Sequence, residues 1–146
     1  MSKPKQKQKA RRLLVQALYS WDVGGTDLID IEAEFHVDND MGKVDTSLFH
    51  NILFGVPKNL AEIDASYEPH LDRENKDLDP VSRGVLRIAS YEMLYSIEVP
   101  YKVVINEGVN LAKTYGHTDA FKFINGVLDK VAVDRRAIEV AANKRN

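Results

Sequence analysis

The sequence predicts an all-α fold of about six or seven helices, arranged in two clusters of roughly three. Apolar residues recur at the three- and four-residue spacing of a helical face along most of the chain, and no run alternates as a half-buried strand does. Glycine and proline lie between these segments, where helices end. With 146 residues and a hydrophobic fraction of 44%, we expect a single domain with a substantial core.

Two helices are predicted in the first quarter of the chain. The first ends at the Gly24-Gly25 pair, because adjacent glycines interrupt a helix. Its core stripe consists of Leu14, Ala17, Leu18 and Trp21. The second helix follows a cap at Thr26 or Asp27. Its apolar face consists of Leu28, Ile31 and Phe35.

A polar loop over residues 38–45 precedes the third predicted helix, which opens at Asp45 or Thr46. The apolar face of this helix consists of Phe49, Ile52, Leu53, Val56, Leu60, Ile63 and Tyr67. Pro57 lies inside the pattern and cannot donate a backbone hydrogen bond. We therefore expect the helix to kink or split near residues 53–57.

The polar connection over residues 68–79 divides the chain into sub-bundles of roughly 1–75 and 76–146. Asp79 and Pro80 then form an N-cap followed by proline at the first helical position. The helix over 81–97 is apolar around most of its circumference, which is typical of a central helix. Pro100 starts the next helix, and Gly116 ends it.

Thr118 is predicted to cap a last core helix, whose apolar face is Ile124, Val127, Leu128 and Val131. Residues 135–146 are highly charged. We expect this end to be frayed or only loosely helical.

A net charge of −2 conceals a strong asymmetry along the chain. Residues 1–21 hold six basic and no acidic residues, residues 22–81 hold four basic and fifteen acidic, and residues 82–146 hold ten basic and seven acidic. A basic segment beside an acidic one favours a polyanion at one place and a different partner at another. The alternative is a basic tail that only aids solubility.

Catalytic and metal chemistry find little support in the sequence. There is no cysteine, and no two of the four histidines stand at the i, i+4 spacing of a helical zinc site. Gly24-Gly25-Thr26 lacks the lysine that a phosphate loop requires. We expect no catalytic residue, metal or cofactor. No apolar run approaches the length of a membrane span, so a cytoplasmic protein without a membrane partner is expected.

The amino-terminal segment favours nucleic-acid binding instead. Residues 1–9 form a basic head that we expect to be irregular and able to become ordered on RNA. The cations of the head and of the helix that follows it can neutralise phosphates: Lys3, Lys5, Lys7, Lys9, Arg11 and Arg12. Tyr19 lies off the core stripe and is a candidate to stack on an unpaired base, whereas Trp21 fits the core.

Two further cations, Lys102 and Lys122, stand beside aromatic residues. Tyr101 precedes Lys102, and Phe121 and Phe123 flank Lys122. Such pairs can combine phosphate attraction with base stacking, although Phe123 fits the core equally well.

Four stretches of the chain resemble the NusB family. They are residues 10–12 with 15–21, residues 86–89 with 91–92, residues 99–103 with 105–107 and 111–113, and residues 122–129. Each stretch alone is weak, but their order, spacing and length together are specific. The resemblance covers nearly all of residues 10–132.

This resemblance implies two packed three-helix bundles without enzyme activity. It also implies binding to the boxA element of ribosomal RNA leader transcripts, together with the ribosomal protein called NusE, in a complex with RNA polymerase that suppresses termination. The residues implied at the RNA surface are Lys5, Lys7, Lys9, Arg11, Arg12, Tyr101, Lys102, Asp119, Lys122 and Phe123. Those implied at the protein partner are Tyr19, Asp77 and Ser82.

The sequence departs from the family pattern in two places. Lysines alternate with other residues where relatives often have an arginine-rich head, which favours phosphate attraction over planar recognition. Lys76 and Ser82 stand where some relatives carry carboxylates thought to meet NusE.

Two alternatives belong to other functional classes. One is an RNA-binding accessory module of a ribosomal-RNA methyltransferase-like system, since the same fold occurs as a domain of such enzymes. The other is a homo-oligomeric helical scaffold without an RNA function. A homodimer is also possible for the RNA-binding protein, since some relatives cover the RNA surface in a homodimer.

Overall fold

The computed structural model describes residues 2–144, and within this range it contains eight α-helices and no strand. The helices are α1 (Lys3–Asp22), α2 (Leu28–Asp38), α3 (Thr46–Lys58), α4 (Leu60–Tyr67), α5 (Pro80–Tyr95), α6 (Tyr101–Tyr115), α7 (Ala120–Arg135) and α8 (Ala137–Lys144). Short 3-10 turns lie at Met41–Lys43, Glu68–His70 and Asn75–Asp77. The predicted all-α class is confirmed, with slightly more helices than expected.

The helices pack in two groups around α5. In the first group α1, α2 and α3 contact one another, and in the second α5, α6 and α7 do. Helix α4 follows α3 in the chain but packs mainly against α5 and α7. Helix α5 also contacts α1 and α3, so it joins the groups, as its apolar circumference predicted. Its buried apolar residues are Val85, Leu86, Ile88, Ala89 and Met93.

Most predicted helix starts are confirmed by their capping bonds. The carboxylates of Asp27, Asp45 and Asp79 accept backbone N–H bonds at 3.1, 2.9 and 2.9 Å, each at the N-cap of its helix. The cap predicted at Thr118 is wrong. The residue before α7 is Asp119, which has a left-handed φ of 68° and makes no capping bond. The tight turn after Gly116 therefore includes Thr118 and extends to Asp119.

The break caused by Pro57 falls later than predicted. Helix α3 continues through Pro57 to Lys58, and Asn59 then leaves the helical conformation with φ −114° and ψ 28°. The backbone N–H and the side-chain amide of Asn59 both donate to the carbonyl of Gly55, at 3.0 and 2.9 Å. The missing proline donor lies in the last turn, where one lost bond is tolerated, so the helix ends only at Asn59.

Both chain ends are more ordered than the sequence suggested. The prediction of an irregular head is wrong for residues 3–9, which form the first turns of α1 with Ser2 as N-cap. The prediction of a frayed end is wrong for residues 137–144, which form α8. A buried residue, Arg136, anchors α8, and a charge count cannot identify such an anchor. Met1 and residues 145–146 lie outside the described residues.

No helix in residues 2–144 combines the length and apolar character that crossing a membrane requires.

Candidate nucleic-acid interface

One face of α1 carries cations and a tyrosine outward along its whole length. Steps of four and three residues place five side chains on this face, since such spacings bring residues together in a helix. They are Lys5, Lys9, Arg12, Gln16 and Tyr19, and we call the first four the α1 strip. All five are exposed or partly exposed. Within residues 2–144, none of the three cations forms a salt bridge, so their charges are available to a polyanion.

Lys7 does not belong to the α1 strip. It lies two residues from Lys5 and from Lys9, which turns its side chain to a different side of the helix. There it lines a cavity of about 250 Å³ with Glu98, Pro100 and Val103 at the link between α5 and α6. The basic head thus divides between two surfaces.

The prediction that Arg11 contacts RNA is contradicted by its burial. Only 3% of Arg11 is exposed, and its guanidinium donates two hydrogen bonds, of 2.9 and 2.8 Å, to the carboxylate of Glu92 on α5. Burial lowers the pKa of Arg11, but the Glu92 bond and charge outweigh it, so that pKa is raised. Arg11 ties α1 to the central helix, and Glu92 occupies its Nε and Nη2 donors.

Helix α6 lies beside the α1 strip and adds a second row of polar and basic residues. The amide of Gln8 donates to Glu107 at 3.1 Å across the two helices. Arg12 and Lys113 line one cavity of about 270 Å³ in this seam. The exposed residues Lys102, Asn106 and Lys113, which we call the α6 strip, follow at helical spacing along about 16 Å of α6.

The start of α7 extends this surface through one aromatic ring. The ammonium of Lys113 lies 4.9 Å from the centroid of Phe121, and that of Lys122 lies 5.9 Å from it. Lys122 also pairs with the exposed carboxylate of Asp119 at 3.5 Å. We call the α1 strip, the α6 strip, Phe121 and Lys122 together the basic face.

Phe123 is not part of the basic face. It is half-buried against the core, and the guanidinium of Arg73 lies 5.9 Å from its ring centroid. The sequence predicted Phe123 rather than Phe121 at the RNA surface, and no RNA role was expected for Lys113. The ring that meets the lysines is Phe121, because the packing of α6 on α7 decides which neighbour of Lys122 meets Lys113.

Tyr101 lies at the first residue of α6 and is half-buried. Its backbone N–H donates to the carboxylate of Glu139 on α8 at 2.8 Å. Lys102 follows it and is exposed. Tyr101 and Lys102 therefore lie at the opposite end of α6 from Phe121. The α6 part of the basic face extends from Lys102 towards Phe121.

Of the three residues predicted at the protein partner, Tyr19 and Asp77 are exposed and Ser82 is buried. Tyr19 is 46% exposed and lines an apolar cavity with Val81 and Tyr115. Asp77 is exposed in the turn before α5, and Lys76 beside it pairs with Glu74 at 3.2 Å.

The prediction that Ser82 meets a partner is wrong, because Ser82 is 3% exposed. Its Oγ is enclosed, without a hydrogen-bond partner in residues 2–144. The position after Pro80 that does face Tyr19 is Val81. Ser82 is enclosed because it lies on the buried side of α5, one turn before Val85 and Leu86.

This geometry suits an extended polyanion with unpaired bases. Exposed cations follow α1 and α6, Arg12 and Lys113 line one cavity between these helices, and the ring of Phe121 lies within 5.9 Å of the ammonium groups of Lys113 and Lys122. Within residues 2–144 we find no group of three histidine, aspartate or glutamate side chains able to hold a metal ion. The arrangement supports charge attraction and stacking as its chemistry.

Comparisons with known proteins extend over most of the chain. A family model described as NusB family matches residues 8–133. The transcription antitermination protein NusB of Hahella chejuensis (strain KCTC 2396) is 51% identical over 145 residues, which is 99% of this chain and 97% of that protein. That of Teredinibacter turnerae (strain ATCC 39867 / T7901) is 51% identical over 93% of each chain. The solved structure of T. maritima NusB matches with a TM-score of 0.76 and 28% identity, over 92% of this chain and 94% of that one.

Proposed function

Because the chain belongs to the NusB family, we propose that it is a transcription antitermination factor that holds boxA-type RNA on its basic face. The observation that carries this proposal is that Arg12 of α1 and Lys113 of α6 line one cavity and that Lys113 meets Lys122 at the ring of Phe121. It functions as an RNA-binding regulator rather than an enzyme. We include the complex with RNA polymerase and a cytoplasmic location in the same proposal.

The chemistry divides between charge and stacking. Lys5, Lys9 and Arg12 attract phosphates, and each phosphate contact releases counterions and makes affinity depend on salt. Rings at the two ends of α6, Tyr101 and Phe121, can support unpaired bases, which single-stranded RNA exposes. Charge supplies affinity for any RNA, whereas contacts to bases supply preference for one sequence.

We expect the triple variant Lys5→Ala, Lys9→Ala, Arg12→Ala to bind boxA-type RNA at least about tenfold more weakly at 0.15 M salt. If three phosphate contacts are lost, the slope of log affinity against log salt should fall in magnitude by about 2. Fluorescence anisotropy with a labelled boxA RNA and a scrambled RNA measures both quantities. Arg11 is left intact, since its replacement would disturb the fold.

The matched control removes the same charge elsewhere, with Lys58→Ala, Lys76→Ala and Lys130→Ala. These exposed lysines lie outside α1, α6 and the start of α7. We expect an affinity change below about twofold, because charges more than about 8 Å apart are screened at this salt. Equal losses in both triple variants would show that only net charge matters and would refute the basic face as the site.

We further propose that NusE binds beside Tyr19, where α1, α5 and α6 meet, with the acidic turn around Asp77 at the edge of this site. Tyr19 supports this proposal because it is a large, partly exposed ring beside the apolar side chains of Val81 and Tyr115. Aromatic residues in such positions often dominate protein interfaces. A basic ribosomal protein would also be attracted by the negative charge of residues 22–81.

Replacing Tyr19 with alanine should weaken NusE binding by about thirtyfold, the loss typical of a central aromatic anchor. The binding of RNA alone should change much less, because none of the cations of the basic face is removed. Isothermal titration of NusE into the pure chain measures the first effect. Tyr95→Ala is the control, since Tyr95 is 38% exposed but lies at the far end of α5. Unchanged NusE affinity in Tyr19→Ala would rule out this junction.

A further inference from the structure

We propose that α8 is a positioning element for RNA binding, in which Glu139 holds the start of α6 and with it Tyr101 and Lys102. This inference rests on the proposed function and assigns a role to a segment beyond residue 133, where the family match ends. Glu139 contacts no RNA in this proposal and acts only through the backbone that it caps.

The start of α6 needs an outside acceptor. The first backbone N–H groups of any helix lack partners within the helix. The N-cap of α6 is Pro100, whose side chain has no acceptor atom, so it makes no capping bond. The carboxylate of Glu139 supplies the acceptor from α8, at 2.8 Å from the N–H of Tyr101. Its negative charge also lies at the positive end of the α6 dipole.

Glu139 is itself held by a rigid anchor. Its other carboxylate oxygen accepts a hydrogen bond of 2.7 Å from the guanidinium of Arg136, which is 3% exposed. Arg136 also donates to four backbone carbonyls at the end of α5 and in the following link: Glu92, Met93, Ser96 and Val99. Contacts therefore run without interruption from the central helix through Arg136 and Glu139 to Tyr101.

The cap supplied by Glu139 affects RNA binding through the geometry of the first turn of α6. Tyr101 and Lys102 occupy the first turn of α6, where a helix frays most readily without a cap. Fixing the Tyr101 amide fixes the direction in which both side chains leave the helix. RNA then meets an ordered tyrosine and lysine and does not have to order them on binding.

The negative charge of Glu139 predicts the opposite effect on RNA affinity. A carboxylate beside Lys102 could instead repel phosphates, in which case removing its charge would strengthen RNA binding. Glu139→Gln separates the two effects, because its single amide oxygen can still accept from Tyr101 while the charge and the acceptor for Arg136 are gone. Glu139→Ala removes both the acceptor and the charge.

The experiment measures boxA-type RNA affinity of the full chain and its Glu139→Ala and Glu139→Gln variants at 0.15 M salt. We expect Glu139→Ala to bind about fivefold more weakly and Glu139→Gln to stay within about twofold of the unchanged chain. Amide hydrogen exchange without RNA should show faster exchange at Tyr101 only in Glu139→Ala. Ile138→Ala is the matched control in α8, since Ile138 is 89% exposed.

A mutant cycle in which Tyr101→Ala and Lys102→Ala are made together distinguishes positioning from general destabilisation. If Glu139 acts through the start of α6, the loss caused by Glu139→Ala should largely disappear once both side chains are absent. Additive losses, an unchanged Glu139→Ala affinity, or tighter binding by both Glu139 variants would each overturn the positioning role while leaving the RNA function in place. Failure of the unchanged chain to bind the RNA would overturn the proposed function and this inference with it.

Discussion

Replacing Arg11 with alanine should lower the free energy of unfolding by about 3–5 kcal/mol, because it leaves a buried carboxylate without its partner. Glu92 is 1% exposed and receives both hydrogen bonds of the Arg11 guanidinium. An unpaired charge in such a place must be solvated by rearrangement or neutralised by a proton, and both are costly. Urea unfolding followed by circular dichroism measures the difference.

Arg12→Ala is the natural control, because it removes the same side chain one residue away on the exposed face. We expect its free energy of unfolding to stay within about 0.5 kcal/mol of the unchanged chain. RNA affinity should fall in Arg12→Ala. The double variant Arg11→Met, Glu92→Leu should recover most of the stability, since an apolar pair needs no charge partner. An Arg11→Ala protein as stable as the unchanged chain, but unable to bind RNA, would restore Arg11 to the RNA surface.

Replacing Arg136 with alanine should cost about 3–4 kcal/mol of unfolding free energy, by the loss of a whole set of buried bonds. The guanidinium donates to the backbone carbonyls of Glu92, Met93 and Ser96 at the end of α5, where a helix leaves its last acceptors open. The variant should also release α8, because Glu139 loses its charged partner. Urea unfolding measures the cost, and hydrogen exchange across residues 137–144 measures the release.

The neighbouring Arg135→Ala tests whether the effect is specific. Arg135 is exposed at the end of α7, so its loss should change the unfolding free energy by less than about 0.5 kcal/mol. Arg136→Lys should fall between the two, because one ammonium cannot reach carbonyls on several sides at once. A cost below about 1 kcal/mol for Arg136→Ala would mean that water replaces the guanidinium readily and that α8 is held by other contacts.

Much of the helical framework could be predicted from local features of the sequence. The caps at Asp27, Asp45 and Asp79, and the end of α1 before Gly24, follow from backbone chemistry within a few residues. The break predicted near residues 53–57 falls at Asn59 instead, because α3 tolerates the missing proline donor in its last turn. The helical order of residues 137–144 was underestimated, since a short helix depends more on what it packs against than on its own helix propensity.

The burial of two predicted contact residues could have been found in the sequence. Arg11 stands three, four and seven residues before Leu14, Val15 and Leu18, which places it on the buried stripe of α1. Ser82 has the same relation to Val85, Leu86 and Ala89 on α5. Residue type suggested an exposed contact in each case, whereas helical phase indicated burial. The phase was the better guide, because a side chain's direction follows its position in the helix.

Periodicity, caps and charge distribution are properties of short segments, so the all-α class, the helix order and the basic α1 strip could all be inferred from the amino-acid order. Other features needed the packed chain. The meeting of Lys113 and Lys122 at Phe121, the pairing of Arg11 with Glu92, and the capping of Tyr101 by Glu139 join residues from different helices. Which distant side chains meet depends on how helices cross and on the volume between them, and no single helix carries that information.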